Sequence, residues 1–207
     1  MFGNTQKGLL VVLSAPSGCG KDTVLSELDN RLEIRRSVSM TTRAIRPQET
    51  DGVDYYFVDE PYFLKMLSQD KILEYTNYSG NYYGTPRQAV DDWLRDGETV
   101  VLKIEVEGAE NVRRLYPDSV SIFLVPPSMH VLEDRLRKRS SESEEEIQSR
   151  MTIARNEMQH ATQYDYIVVN DRLDDAVSDI RAIIRSERHK TSRCGNIISE
   201  VMHHAES

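Results

Sequence analysis

Three sets of cationic side chains, far apart along the chain, have types and spacings suited to holding phosphates. The first lies in Ser14-Ala-Pro-Ser-Gly-Cys-Gly-Lys-Asp-Thr23. This run approaches G-x-x-x-x-G-K-[ST], in which glycines let backbone N–H groups turn inward onto phosphate oxygens. Ala15, Pro16, Ser17, Gly18, Cys19 and Gly20 would form such a loop. Lys21 would add a full positive charge and the helix behind it a partial one. Two positions depart from the pattern: Ala15 replaces the leading glycine, and Asp22 stands where a hydroxyl would meet Mg²⁺. Thr23 could take over that hydroxyl's role, or Asp22 could reach a metal through water. The plain reading of the run is a Gly-rich turn that caps a helix.

The second set is Arg43 and Arg46, three apart, able to present two planar forks to one phosphate, with the hydroxyls of Tyr55 and Tyr83 as further donors. The plain reading is a solvated pair on a loop. The third is Arg135, Arg139 and Arg150. Arg135 and Arg139 are four apart and share a helix face, and Arg150 follows eleven residues later. Here the plain reading is a helix laced with surface salt bridges.

Composition bounds what these sets can serve. The 207 residues are 39% hydrophobic and 29% charged, ordinary for one globular domain that needs no metal or disulfide staple. Net charge is −8 and the pI near 5.2. That excludes a broad nucleic-acid surface and sets the overall field against anionic ligands, so Lys and Arg must be concentrated locally. Cys19 and Cys194 have no CxxC partner and read as reduced thiols. Leu9–Leu13 is too short for a membrane span or a signal sequence, so a cytoplasmic location is expected.

The elements that must position these groups follow from periodicity. Leu9–Ser14 reads as a buried strand, followed by a helix from Lys21 to about Leu32; Ser37–Thr41 could be a further short strand. From Thr42 to Thr85, tyrosines broken by Pro47, Gly52, Gly80 and Gly84 suggest a small β-rich insertion with one helix near 61–69, packed by Tyr56, Tyr62 and Tyr78. Helices are predicted over 86–95, 128–138, 144–160 and 174–188, and strands over 99–106, 120–125 and 166–169. Residues 139–146 are either a connection or the start of the following helix. Thr191–Ser207 shows no pattern and is expected to fray; His203 and His204 fall there. Apolar strands alternating with helices indicate an α/β fold with a parallel sheet covered on both faces, whose ligands gather at the carboxyl ends of the strands.

Downstream segments carry a resemblance. Ser39-Met-Thr-Thr-Arg-Ala-Ile-Arg-Pro-Gln-Glu-Thr-Asp-Gly-Val-Asp-Tyr-Tyr-Phe57, Glu74, Ser79-Gly-Asn-Tyr-Tyr-Gly-Thr85, Val125-Pro-Pro-Ser128 and Val168-Val-Asn-Asp171 closely resemble guanylate kinases, from Leu10 to about Ile184. The resemblance implies a P-loop NTPase parallel sheet flanked by helices, with an inserted β-rich GMP-binding flap and a helical lid. The core would be about 8–38, 86–128 and 160–188, the flap 39–85, the lid 129–159 and the tail 189–207. It implies transfer of the γ-phosphoryl of ATP to GMP in purine nucleotide metabolism, with Mg²⁺. Deoxy-GMP tolerance and oligomeric state are left open. ATP would meet residues 15–23, Arg135, Arg139 and, near the adenine, Asn170. GMP would meet Ser39, Arg43, Arg46, Glu49, Tyr55, Glu74, Tyr83, Thr85 and Glu105. Lys21, Arg43, Arg139 and Arg150 would serve the transfer. A carboxylate such as Glu74 suits guanine, whose N1–H and exocyclic amine are adjacent donors.

The match departs at one strand. Where guanylate kinases usually carry two aspartates, this chain has Lys103 and Glu105. With Asp22 in the phosphate loop this suggests a compensating exchange, the acid lost from the strand reappearing in the loop. The alternative is that Lys103 points away and Mg²⁺ is held by ATP and water. Two rival functions stand beside GMP phosphorylation: a kinase for AMP, UMP or dTMP, and a catalytically silent guanylate kinase-like binding module. Ser39, Glu74 and Thr85 oppose the first. The retained Lys21, in a chain with no room for extra interaction domains, opposes the second.

Overall fold

A computed structural model describes residues 7–78, 80–138, 143–194 and 201–202. β1 (Leu9–Ser14) is buried at every position, as its unbroken apolar run requires, and sits at the middle of a five-stranded sheet. With β2 (Arg35–Arg36), β7 (Thr99–Lys103), β8 (Val120–Val125) and β9 (Tyr166–Val169) the order is β2-β7-β1-β8-β9, and every pairing is parallel. Strand alternation sorts β1 between two cores. Leu9, Val11 and Leu13 pack with Leu25 and Leu28 of α1 (Lys21–Arg31), Leu132 and Leu136 of α5 (Met129–Lys138), Met151 of α6 (Glu144–Met158), and Val177 and Ile180 of α7 (Leu173–Arg188). Leu10 and Val12 pack on the other face with Val90 of α3 (Arg87–Arg95) and with Ala109 and Val112 of α4 (Val106–Leu115). Each such buried aliphatic side chain contributes about 1.5–3 kcal/mol. Together they hold the carboxyl ends of β1 and β7 in register, Leu13 beside Lys103.

The inserted flap is a second, mixed sheet. β3 (Met40–Thr41), β4 (Tyr56–Phe57), β5 (Ile72–Tyr78) and β6 (Asn81–Pro86) take the order β4-β3-β6-β5. α2 (Glu60–Ser68) starts where Asp59 caps it by accepting from Tyr62 N. The flap has its own core of Met40, Phe63 and Ile72. Its packing aromatic differs from those expected: half-buried Tyr82 stacks on Phe63 at 5.2 Å, whereas Tyr56 and Tyr62 are 43% and 47% exposed, and the Tyr78 side chain lies outside the described residues. Tyr56 sits on a two-residue strand, which gives no alternation from which to read its buried face.

Four other expectations are corrected. The predicted strand 99–106 stops at Lys103, because Ser14 Oγ takes the carbonyl of Ile104 at 2.9 Å and turns the chain out of the sheet. Glu105 then becomes the N-cap of α4, a helix not predicted because Ile104 and Val106 prolong the strand-like alternation. The strand expected over 37–41 is only Met40–Thr41, in the flap sheet, while the parallel sheet gains the exposed pair Arg35–Arg36. Beyond α7, Thr191–Arg193 forms a 3-10 turn with Arg193 buried, its guanidinium donating to the Asp118 carbonyl. Of the segment left open at 139–146, the described part settles as helix: Ser143 and Glu146 form a capping box, so α6 begins at Glu144. No helix among the described residues is long and apolar enough to cross a membrane.

Candidate active site

The loop between β1 and α1 owes its shape to two left-handed glycines, Gly18 at φ 86° and Gly20 at φ 90°. Both are also crowded. A Cβ on Gly18 would lie 2.6 Å from Leu136 Cδ2, and one on Gly20 2.9 Å from the Asn170 amide nitrogen. Buried Asn170 reaches the loop from the end of β9, its Nδ2 donating to the Cys19 carbonyl at 2.7 Å. That amide braces the loop, so its placement beside an adenine would have to use its remaining faces. Cys19 is fully buried, and burial pushes its thiol up to about 11 despite the nearby charges of Arg135 and Lys21. Ala15 and Pro16 are buried beneath the loop, and Pro16 accepts from Cys19 N at 3.1 Å. A cavity of about 240 Å³ opens beside it, walled by Gly18, Gly20, Thr23, Arg135, Asn170 and Asp171.

α6 closes over the other side of the loop. Arg150 donates to Ser17 Oγ through Nε at 3.2 Å and Nη2 at 2.9 Å, and Ser17 N donates to Glu157 Oε2 at 3.2 Å. Burial raises the Glu157 carboxyl, partly offset by that N–H. Glu157 was not singled out from the sequence. Its spacing of seven from Arg150, two helical turns on one face, was the available signal. Arg135, from α5, donates to the Asp171 carbonyl at 3.3 Å. Arg139 lies outside the described residues.

At the start of α1 two ion pairs run side by side to the chain leaving β7. Lys21 Nζ meets Glu105 Oε1 at 3.0 Å, and Lys103 Nζ meets Asp22 Oδ1 at 2.6 Å. The two residues that depart from the resemblance are therefore bonded to each other, and Lys103 does not point away. Partial desolvation by the neighbouring chain would raise the Asp22 carboxyl, but the hydrogen bond and charge of Lys103, with Lys21 and Arg36, hold it below its ordinary value.

The flap gathers the second cationic set. Arg43 Nη2 donates to Glu49 Oε1 at 2.7 Å, and Glu49 Oε2 accepts from Arg46 N at 2.9 Å. Glu49 therefore organises the loop that carries both arginines, the Arg46 side chain being exposed. Arg43 Cζ lies 5.7 Å from the Tyr55 ring centroid, and Tyr55 meets Tyr83 edge-on at 5.9 Å. Burial raises the Tyr55 phenol, with Lys103, Tyr83, Asp22 and Arg43 as its charged or polar neighbours. Deeper in the flap, Glu74 is 6% exposed and accepts from Thr85 Oγ1 at 2.6 Å. Burial lifts its carboxyl to about 7; Thr85 opposes the lift and Glu105 adds to it. Ser39 joins by holding β4 in place, its carbonyl accepting from Tyr56 N at 2.9 Å.

One short segment ties these sets together. Lys103 and Glu105 pair with the phosphate loop, Glu107 accepts from Thr76 of β5 at 3.1 Å, and Gly108 lies directly against the Glu74 carboxylate. Residues 103–108 thus join the loop to the flap pocket. A larger groove of about 1060 Å³, walled by Arg31, Glu98, Thr99 and Arg188, lies at the opposite ends of the strands. Two of its arginines serve the fold: Arg31 pairs with Asp174, and Arg188 donates to Thr99.

A phosphate loop and a carboxylate-bearing flap joined in this way define a family, and comparison identifies it. The guanylate kinase family profile matches residues 7–187. The chain belongs to the guanylate kinase family. It is 46% identical over 187 residues to a guanylate kinase of Desulfitobacterium hafniense (strain Y51), covering 90% of this chain and 94% of that one. It is 45% identical over 188 residues to a guanylate kinase of Carboxydothermus hydrogenoformans, covering 90% and 92%. The crystal structure of guanylate kinase from Anaplasma phagocytophilum superposes with a TM-score of 0.74 at 36% identity, covering 91% of this chain and 90% of that one. The five-stranded parallel sheet with its inserted mixed sheet is the guanylate kinase fold, and the protein is a nucleoside monophosphate kinase.

Proposed function

We propose that this guanylate kinase-family enzyme moves the γ-phosphoryl of ATP to GMP, with GMP under the flap and ATP along the Gly18–Thr23 loop. The carrying observation is that a buried carboxylate with a hydroxyl partner, Glu74 and Thr85, and the phosphate loop abut the same six residues, 103–108. Glu74 offers two acceptor oxygens to the N1–H and amine of guanine, an edge that adenine and the pyrimidines do not reproduce. Ser39 is the further flap residue assigned to the base. Arg43, Arg46, Tyr55 and Tyr83 would hold the GMP phosphate. Lys21, Arg135 and Arg150 would approach the ATP phosphates, joined by Arg139. The adenosine end would occupy the cavity beside Asn170.

In the transfer, an oxygen of the GMP phosphate attacks the γ-phosphorus in line. The bond from that phosphorus to the β–γ bridging oxygen breaks, and ADP leaves with the electron pair. The protein's task is to align the two nucleotides, screen their charge and keep water out. α5 and α6 would act as a lid. Arg150 and Glu157 both reach Ser17, which ties α6 to the loop it covers. Mg²⁺, when bound with ATP, supplies charge neutralisation on the phosphates. Asp22, its side chain 78% exposed, and Thr23 on the first turn of α1 would hold it, largely through water. Among the described residues no group of three His, Cys, Asp or Glu could hold a metal ion. The protein would work in the cytoplasm, where thiols such as Cys19 and Cys194 stay reduced.

A coupled assay for ADP across GMP, deoxy-GMP, AMP, UMP and dTMP, with and without Mg²⁺, tests the reading. Turnover concentrated on the guanine nucleotides supports it, and equal turnover on AMP or UMP refutes it. Failure to bind ATP would return the silent binding module, which the retained Lys21 opposes.

A further inference from the structure

Lys103 ends β7 beside Leu13 of β1, at the mouth of the phosphate loop, with its ammonium on the exposed carboxylate of Asp22. Lys21 next to it is already taken by Glu105 and is only 12% exposed. From Lys103 the chain runs on toward the flap: Glu107 holds Thr76, and Gly108 touches the carboxylate of Glu74. On the flap side Tyr55, with Arg43 and Tyr83 around it, lies within the electrostatic reach of Lys103 and Asp22. Lys103 therefore stands at the seam between two anion cradles.

We propose that Lys103 is a ligand of the acceptor phosphate: when the nucleoside monophosphate enters, its ammonium leaves Asp22 and completes the ring of donors formed by Arg43, Tyr55 and Tyr83. This rests on the reading that GMP binds under the flap. A lysine suits the task, because its compact charge sits on a flexible four-carbon stem that can swing between partners. The pair it leaves is weak, since the Asp22 side chain is 78% exposed and water can replace the ammonium. The phosphate offers more charge and more acceptor oxygens than the carboxylate it displaces. Parking on Asp22 also keeps Lys103 from repelling Lys21 in the empty site.

The test is calorimetric titration of the full-length protein with GMP and, separately, with guanosine, in the absence of ATP and Mg²⁺. Lys103→Met is expected to weaken GMP about ten-fold or more while leaving guanosine unchanged, and Lys103→Arg to restore most of the loss. Unchanged GMP affinity in Lys103→Met overturns the inference. So does equal weakening of GMP and guanosine, which would mark a structural role. Should Lys103→Met melt before titration, Lys103→Gln carries the same comparison. Wild-type protein that binds guanosine and GMP equally well likewise refutes a phosphate ligand here. Wild-type protein that binds neither overturns the GMP reading itself and is thereby told apart.

Discussion

Replacing Glu74 by glutamine should push stability and binding in opposite directions. The carboxyl is 6% exposed, and burial lifts it from the ordinary 4.5 to about 7. A carboxyl raised in the folded state binds its proton more tightly there than in the unfolded chain. Its contribution is therefore most favourable below pH 4.5 and is lost as pH rises through 7. The lift corresponds to about 3 kcal/mol of penalty at pH 8 and less than about 1 kcal/mol at pH 5. Glutamine is nearly isosteric and keeps an oxygen for the Thr85 hydroxyl, now bonded at 2.6 Å. Glu74→Gln should therefore stabilise the ligand-free protein by up to about 3 kcal/mol at pH 8, with the gain shrinking by most of that at pH 5.

Binding should move the other way. On the guanine reading, glutamine can accept one of the two base N–H groups but turns an amine toward the other. That costs about 1.5–3 kcal/mol, roughly 10–100-fold in affinity. Urea melts of both proteins at pH 5 and pH 8, with guanosine titrations at each pH, measure both effects. Guanosine is used because the GMP phosphate itself titrates near about pH 6. Wild-type affinity for guanosine should fall as pH drops below about 7, by up to about ten-fold per unit, because the protonated acid presents a donor. A stability difference between the two proteins that is the same at pH 5 and pH 8 would refute the claim that an ionised Glu74 is costly to bury.

Further predictions concern the phosphate loop and the thiols. Asn170→Ala removes the amide that holds the Cys19 carbonyl and should raise the KM for ATP about 5–20-fold while leaving that for GMP nearly unchanged, as steady-state kinetics would show. Gly18→Ala places a Cβ at φ 86° and 2.6 Å from Leu136. It should cost about 2 kcal/mol in urea unfolding, because a strained backbone and an overfilled contact act together. Iodoacetamide at pH 8 should label Cys194 well before Cys19, whose buried thiol is raised to about 11; peptide mapping should show Cys19 catching up only once the protein is unfolded.

The parallel core was legible because its strands are continuous apolar runs, a pattern that only a sheet covered on both faces can bury. The phosphate loop was legible because glycines between such a strand and a helix have few other uses. Legibility failed where chemistry and packing share one residue type. Seven tyrosines mark the flap as aromatic, but two-residue strands such as Met40–Thr41 and Tyr56–Phe57 have no periodicity. The role of Tyr56 thus came out only in three dimensions. The turn after Lys103 escaped notice because it depends on a hydroxyl ninety residues away, Ser14, taking the Ile104 carbonyl. Glu157 was hidden among the charges of α6, although its spacing from Arg150 held the clue. Lys103 and Asp22 were recognised as departures from the family from their types alone, and their contact at 2.6 Å explains how each tolerates the other.

That contact bears on how a chain of net charge −8 can gather polyphosphates. Three of the cations assigned to phosphates are each parked on a carboxylate: Lys21 on Glu105, Arg43 on Glu49 and Lys103 on Asp22. An unpaired cluster would repel itself and pull the loop and flap apart when no nucleotide is present. Parked cations avoid that repulsion, and the Lys103–Asp22 pair, with the Asp22 side chain 78% exposed, costs only about 0–1 kcal/mol to give up. Phosphate entry then becomes an exchange of one anion for a more highly charged one. On the proposed reading, part of the acidic total is the set of counter-charges that keep the site assembled until its ligands arrive.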